Sequence, residues 1–265
     1  MDPSWAAVLG SALVVAALAA WLRRARAQAA RLQERLELAS RNLQRLQMSF
    51  SRFAPDELVE RIIAGGLSSA GEKKEVTVLF ADLVGFTRLA EETEPAVLVD
   101  VLNGYFERMS AAITAHRGQI STFIGDGILA LFGALEPNPW QCDDAVHAAL
   151  AMRSELAAYS AELEARGQPR LEVGVGLHRG VGIAGLVGSR DRKEFTVVGR
   201  IVNVAARLEA LTREVDADIL MTADVRERLD PRFALRSLPA AELRGIAQPV
   251  QIFGAEGFAE TPPGR

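Results

Sequence analysis

Two apolar runs, each ending at an acidic residue beside glycine, set the strongest constraint on how this chain folds. The first, Glu75-Val76-Thr77-Val78-Leu79-Phe80-Ala81-Asp82-Leu83-Val84-Gly85-Phe86-Thr87, opens with a near-continuous hydrophobic stretch. Such a stretch reads as a strand covered on both faces. Its terminal carboxylate, Asp82, then sits at the rim of a core, where an isolated charge is costly without a cation or hydrogen bonds. The stretch from Gln119 to Phe132 repeats the arrangement and is broken only by Gly125-Asp126-Gly127. Two carboxylates on rigid strands, each near glycine, make a candidate divalent-metal site. Asp and Gly are equally at home in ordinary turns, so the rest of the chain has to decide between the two readings.

The 265 residues are 49% hydrophobic and 24% charged, a globular balance with room for one core plus appendages. A formal net charge of -4, and no basic cluster away from the N-terminal region, give nucleic-acid binding little support. The single Cys142 excludes an internal disulfide and zinc sites built on paired cysteines. His116, His147 and His178 are scattered, none at ligand spacing with another.

Trp5 to Leu22 is uncharged and apolar, and as a helix it covers roughly 27 Å, enough for a bilayer core. Arg23, Arg24, Arg26, Arg31 and Arg35 follow it, so the expectation is a single-pass anchor in the inner (plasma) membrane, N-terminus outside and the remainder cytoplasmic. A cleaved signal peptide would carry its positive charge before the apolar segment, the reverse of this order. From Leu22 a heptad pattern begins: Leu22, Ala29, Leu36, Leu43 and Phe50 form one series, and Ala25, Leu32, Ala39, Leu46 and Phe53 the second. That spacing predicts a parallel two-helix coiled coil over 23–53, with an amphipathic helix lying on the domain as the alternative.

An entry helix and linker are expected over 54–74, then one domain over 75–256 and a flexible tail over 257–265. Within the domain the patterns predict strands near 75–82, 119–124, 128–133, 171–178, 194–198, 218–221, 233–238 and 249–254. Helices are predicted near 95–116, 142–166, 201–211 and 223–229. Helices interleaved with hairpins argue for an α+β fold, a sheet covered by helices.

Five motifs in order resemble the class III nucleotidyl cyclases, adenylyl and guanylyl. They are Phe80-Ala81-Asp82-Leu83-Val84-Gly85-Phe86-Thr87, Phe123-Ile124-Gly125-Asp126-Gly127, Gly176-Leu177-His178-Arg179-Gly180, Phe195-Thr196-Val197-Val198-Gly199 and Val202-Asn203-Val204-Ala205-Ala206-Arg207-Leu208-Glu209. Arg52-Phe53-Ala54-Pro55 is similar to the entry segment of these domains. The resemblance spans about Phe50 to Phe253. It implies a ferredoxin-like catalytic domain with a mostly antiparallel central sheet, acting on ATP or GTP. It further implies that Asp82 and Asp126, helped by the Leu83 carbonyl, hold two Mg²⁺ or Mn²⁺ ions, and that amides around Val84, Gly85, Phe86 and Thr87 cradle phosphates. By the same resemblance, Asn203 would orient the ribose and Arg207 would meet the transferring phosphate, both from the second protomer of a homodimer. Arg244 matches a phosphate-binding lysine.

Base selection departs from the family pattern. Thr122 stands where adenylyl cyclases typically place Lys and guanylyl cyclases Glu, and Thr196 where Asp is common. A hydroxyl can accept from an adenine amino group or donate to a guanine carbonyl. The expected function is a membrane-anchored adenylate cyclase acting on ATP. The alternatives are a guanylate cyclase and a non-catalytic nucleotide-binding or dimerisation module. Arg200 also departs, since Asp or Asn is common there.

Overall fold

The computed structural model describes residues 71–189 and 193–259, together with Gln28, Gln33, Arg35–Leu38, Ser40 and Arg41. The chain forms two compact units, Met1–Ile63 and Ala64–Arg265. In the first unit the described residues are helical, with Glu37 and Arg41 paired at 3.5 Å one turn apart and the heptad residue Leu36 75% exposed. The anchor expected over 5–22, most of the heptad stretch and the entry helix expected within 54–74 lie outside the described residues. Among the described residues no helix is long and apolar enough to cross a membrane.

The second unit is built on strands β1 (Glu72–Leu83), β2 (Gln119–Ile124), β3 (Gly127–Phe132), β4 (Val173–Gly188), β5 (Lys193–Val198), β6 (Ile219–Thr222), β7 (Phe233–Ala241) and β8 (Val250–Phe258). Its helices are α1 (Phe86–Glu92), α2 (Pro95–Ala115), α3 (Gln141–Ala165), α4 (Arg200–Leu211) and the single turn α5 (Ala223–Arg226). The sheet runs β2-β3-β1-β4-β6-β8-β7, with β5 paired to β4 beside this path. Every pairing is antiparallel except β4 with β6. That parallel step needs a crossover, which α4 supplies. The expected α+β architecture is present.

β1 lies centrally, hydrogen-bonded on both edges, which is why its sequence reads as nearly unbroken apolar. Side chains alternate, so Leu79, Ala81 and Leu83 share one face with Val173, Val175 and Leu177 of β4. On that face they form the main core with Tyr105, Met109 and Ile113 of α2 and Ala149, Met152 and Leu163 of α3. The opposite face carries Asp82 across from Gly174 and Phe80 across from Gly176. There α4 packs almost backbone to backbone. A Cβ on Gly176 would lie 2.2 Å from the Ala205 carbonyl oxygen and 2.4 Å from the Glu209 nitrogen. Gly174, Gly180 and Gly182 share this parity and are similarly crowded by α4 or β5 side chains. A strand with side chains there would hold the helix at ordinary distance, so these glycines fix where α4 delivers its residues.

Several elements differ from expectation: β1 begins at Glu72, inside the expected linker, and β8 runs to Phe258, inside the expected tail. β4 continues to Gly188, about ten residues past the expected end, as a hairpin arm with β5. α1 is a separate short helix that the sequence did not single out, because its seven residues show neither a side-chain cap nor a repeating apolar stripe.

Candidate active site

β1 ends at the rim where the β2–β3 turn folds over it, and this brings Asp82 and Asp126 together. The turn needs Gly125 in the left-handed region at φ 65°. Gly127 is held so close that a Cβ there would sit 3.2 Å from Asp82 Oδ1. The Leu83 amide donates to Asp126 Oδ2 at 3.2 Å. Burial, then a hydrogen bond and the like charge of Asp126, push the Asp82 carboxyl up to about 6, against the pull of Arg213. Two adjacent oxygen donors that resist both being charged are suited to a hard divalent cation, and the Leu83 carbonyl at the same strand end is a donor of the same kind. The residues present therefore fit Mg²⁺ or Mn²⁺. Among the described residues no cluster of three or more His, Cys, Asp or Glu side chains suits a metal.

Three further groups, not singled out in the sequence, complete this corner. Arg213 donates from Nη2 to Asp82 Oδ2 at 3.0 Å and from Nη1 to Glu209 Oε1 at 2.7 Å. Glu209 is buried, and burial above all pushes its carboxyl up to about 7, although Arg213 draws it down. Tyr105 on α2 is wholly buried, its hydroxyl has no hydrogen-bond partner, and burial together with Asp82, Asp126 and Glu209 raises its pKa. A signal existed for Glu209, which closes the last motif. Arg213 reads from sequence as a solvent-facing partner of Glu209 four residues earlier, and only the fold reveals Asp82 beside it.

Val84–Thr87 follow directly. Val84 donates to the Glu172 carbonyl at 2.9 Å, Gly85 takes φ 71° before α1, and Leu89 donates back to the Gly85 carbonyl at 3.2 Å. Thr122 follows an irregularity in the β2–β3 register, and its hydroxyl meets only the Phe123 carbonyl at 3.4 Å. Ser121 beside it donates to the Phe195 carbonyl at 3.0 Å, tying β2 to β5 next to Thr196. The two threonines are thus neighbours of one staple.

Asn203 and Arg207 lie elsewhere on α4. At about 100° per residue Glu209 lies about 120–160° around the helix from Asn203 and Arg207, and Arg213 follows in the turn just past its end. Asn203 is exposed, and the Arg207 guanidinium nitrogens lie 3.5 Å from where a Gly245 Cβ would be. Gly245 takes φ 72° in a turn closed by Ile246 donating to the Leu243 carbonyl at 2.9 Å. That turn carries Arg244, so Arg207 and Arg244 share a corner while Arg213 takes the chain's own Asp82. Arg200 is the first residue of α4, exposed at its positive end.

The adenylate and guanylate cyclase catalytic domain family matches residues 69–255. An adenylate cyclase of Anabaena cylindrica is 33% identical over 229 residues, 82% of this chain and 45% of that protein. Adenylate cyclase 1 of Rhizobium meliloti is 30% identical over 211 residues, 79% of this chain and 32% of that one. The chain thus spans less than half the length of these curated relatives. The solved guanylyl cyclase Cya2 is 33% identical with a TM-score of 0.66, over 72% of this chain and 96% of that one. The adenylyl cyclase CyaB from P. aeruginosa is 31% identical, also at 0.66, over 70% and 95%.

Proposed function

Since the chain belongs to the adenylate and guanylate cyclase catalytic domain family, we propose that it is an adenylate cyclase, converting ATP to 3′,5′-cyclic AMP and pyrophosphate at sites shared between two copies. The observation that carries the reading is the division of labour on the fold. Asp82 and Asp126 form one constellation, and Asn203 and Arg207 form another on a differently directed stripe of α4. That divergence suits a two-fold pair, which would set one copy's carboxylates against the other's amide and guanidinium.

In this reading Asp82, Asp126 and the Leu83 carbonyl hold two Mg²⁺ or Mn²⁺ ions. When bound, these lower the pKa of the ribose 3′-hydroxyl and neutralise triphosphate charge. The Val84–Thr87 amides approach the phosphates. Asn203 orients the ribose so that its 3′-oxygen lies in line with the α-phosphorus. Arg207 presents a planar fork to the phosphate oxygens as charge shifts to the leaving group, and Arg244 adds a second cation. Dimerisation is supported by an apolar strip on the β4–β5 arm, where Val181, Ile183, Val187 and Val198 are each about half exposed. Anchoring by 5–22 and pairing through 23–53 would raise the local concentration of catalytic domains.

The second reading is a guanylate cyclase. Thr122 and Thr196 are uncharged and suit either purine, and Cya2, named as a guanylyl cyclase, is as similar as CyaB. The test is turnover of the full chain with MnATP and MnGTP, with products separated chromatographically. Cyclic AMP formed at the higher kcat/KM supports the proposal, cyclic GMP in excess supports the second reading, and no product from a verified dimer refutes both. Thr122→Lys should shift the ratio toward ATP.

A further inference from the structure

We propose that Arg213, held by Glu209, is the built-in counter-ion of the Asp82–Asp126 pair and limits how tightly that pair takes a divalent cation. The inference rests on the reading of these two carboxylates as metal ligands. It concerns residues that the reading leaves without a role.

The geometry makes Arg213 a bridge. One arm of its fork binds the buried Glu209 at 2.7 Å and the other binds Asp82 at 3.0 Å. The Glu209 side chain is 5% exposed, against 35% for Arg213 and 28% for Asp82. A carboxylate so buried needs a fixed partner, so the Glu209 end is the anchor and the Asp82 end the releasable arm. Gly174 makes the anchor possible, because a Cβ there would sit 3.0 Å from Glu209 Oε1 and 2.2 Å from Thr212 Oγ1. Lysine offers no rigid fork to span both acids.

A cation taken up by Asp82 would meet a guanidinium already bound at Oδ2. The arginine also lines a cavity of about 500 Å³ with Val84, Asp216 and Asp218, so its outer arm has both space and acceptors when it leaves Asp82. Without a cation, Arg213 partly offsets the repulsion between the two carboxylates. With one, it is a competitor. Metal affinity is therefore set by an exchange of cations at Asp82.

The test is Mn²⁺ binding to the full chain without nucleotide, followed by the paramagnetic resonance of free Mn²⁺, for wild type, Arg213→Ala, Arg213→Lys and Asp82→Asn. Arg213→Ala should bind about fivefold more tightly, the worth of a partly exposed ion pair. Arg213→Lys should fall between, and Asp82→Asn should lose the site. General damage to the corner would weaken binding instead. Wild-type binding that is unchanged or weaker in Arg213→Ala overturns the inference and leaves the metal reading standing. If neither chain binds Mn²⁺, both fall together. If circular dichroism shows Arg213→Ala unfolded, Arg213→Lys decides: tighter than wild type supports the exchange, equal or weaker refutes it.

Discussion

Replacing Gly176 with alanine should loosen the whole α4 side of the site. The added Cβ would stand 2.2 Å from the Ala205 carbonyl oxygen and 2.4 Å from the Glu209 nitrogen. Non-bonded heavy atoms settle at about 3.5 Å, so the helix has to retreat by roughly 1 Å. Both obstacles are backbone, and no rotamer change relieves them. Overpacking of this kind costs about 3 kcal/mol, the upper part of the usual range. For a domain of this size that lowers Tm by about 6–12 °C. The same retreat draws Arg213 away from Asp82, beyond hydrogen-bonding distance. Gly180→Ala is the matched control, because its Cβ meets the Ile201 Cγ2 methyl at 2.7 Å, a side-chain end that can turn aside. Thermal unfolding of the full chain in EDTA, followed by circular dichroism, gives the comparison. A Gly176→Ala Tm within a degree or two of wild type, or no lower than that of Gly180→Ala, would refute the argument from close helix–strand approach.

Three further outcomes are expected. Asp82→Ala and Arg207→Ala should each abolish cyclase activity, yet an equal mixture should regain about a quarter of the wild-type rate, because half the dimers are mixed and each holds one complete site; a mixture as dead as its parts rules out shared sites. Glu209 binds a proton more readily folded than unfolded, from its ordinary 4.5 up to about 7, so its contribution to stability is present below that window and declines as pH rises through it. In EDTA, the Tm of Glu209→Gln relative to wild type should therefore climb between pH 4.5 and 8, and a flat or falling difference contradicts the burial argument. Tyr105→Phe removes a buried hydroxyl that has no partner, so its Tm should match or exceed that of wild type; a drop of several degrees would mean that the hydroxyl is satisfied in solution.

The apolar runs made the centre of the fold legible. β2 falls where expected, and β1, α2 and α3 fall within a few residues, because a long two-sided burial signal leaves little choice. The β4–β5 arm was half hidden. Val181 to Gly188 mixes glycine with exposed valine and isoleucine, a pattern that one buried face does not explain. At the site, Asp82 and Asp126 were readable as carboxylates ending strands beside glycine. Arg213 was not, because its second partner lies 131 residues away in sequence. His116 and His147 show the same limit: scattered along the chain, their rings stack at 5.6 Å beside Phe233 and Phe258.

Helix α4 is a single stiff rod of three turns, with one flank turned to its own carboxylates and another turned outward. Sliding or tilting it carries both flanks at once. In a two-fold assembly of the proposed kind, filling one cleft would tug the rod that serves the other. The pair would then behave as coupled halves of a balance, and unequal occupancy of the two clefts becomes a natural state of the enzyme.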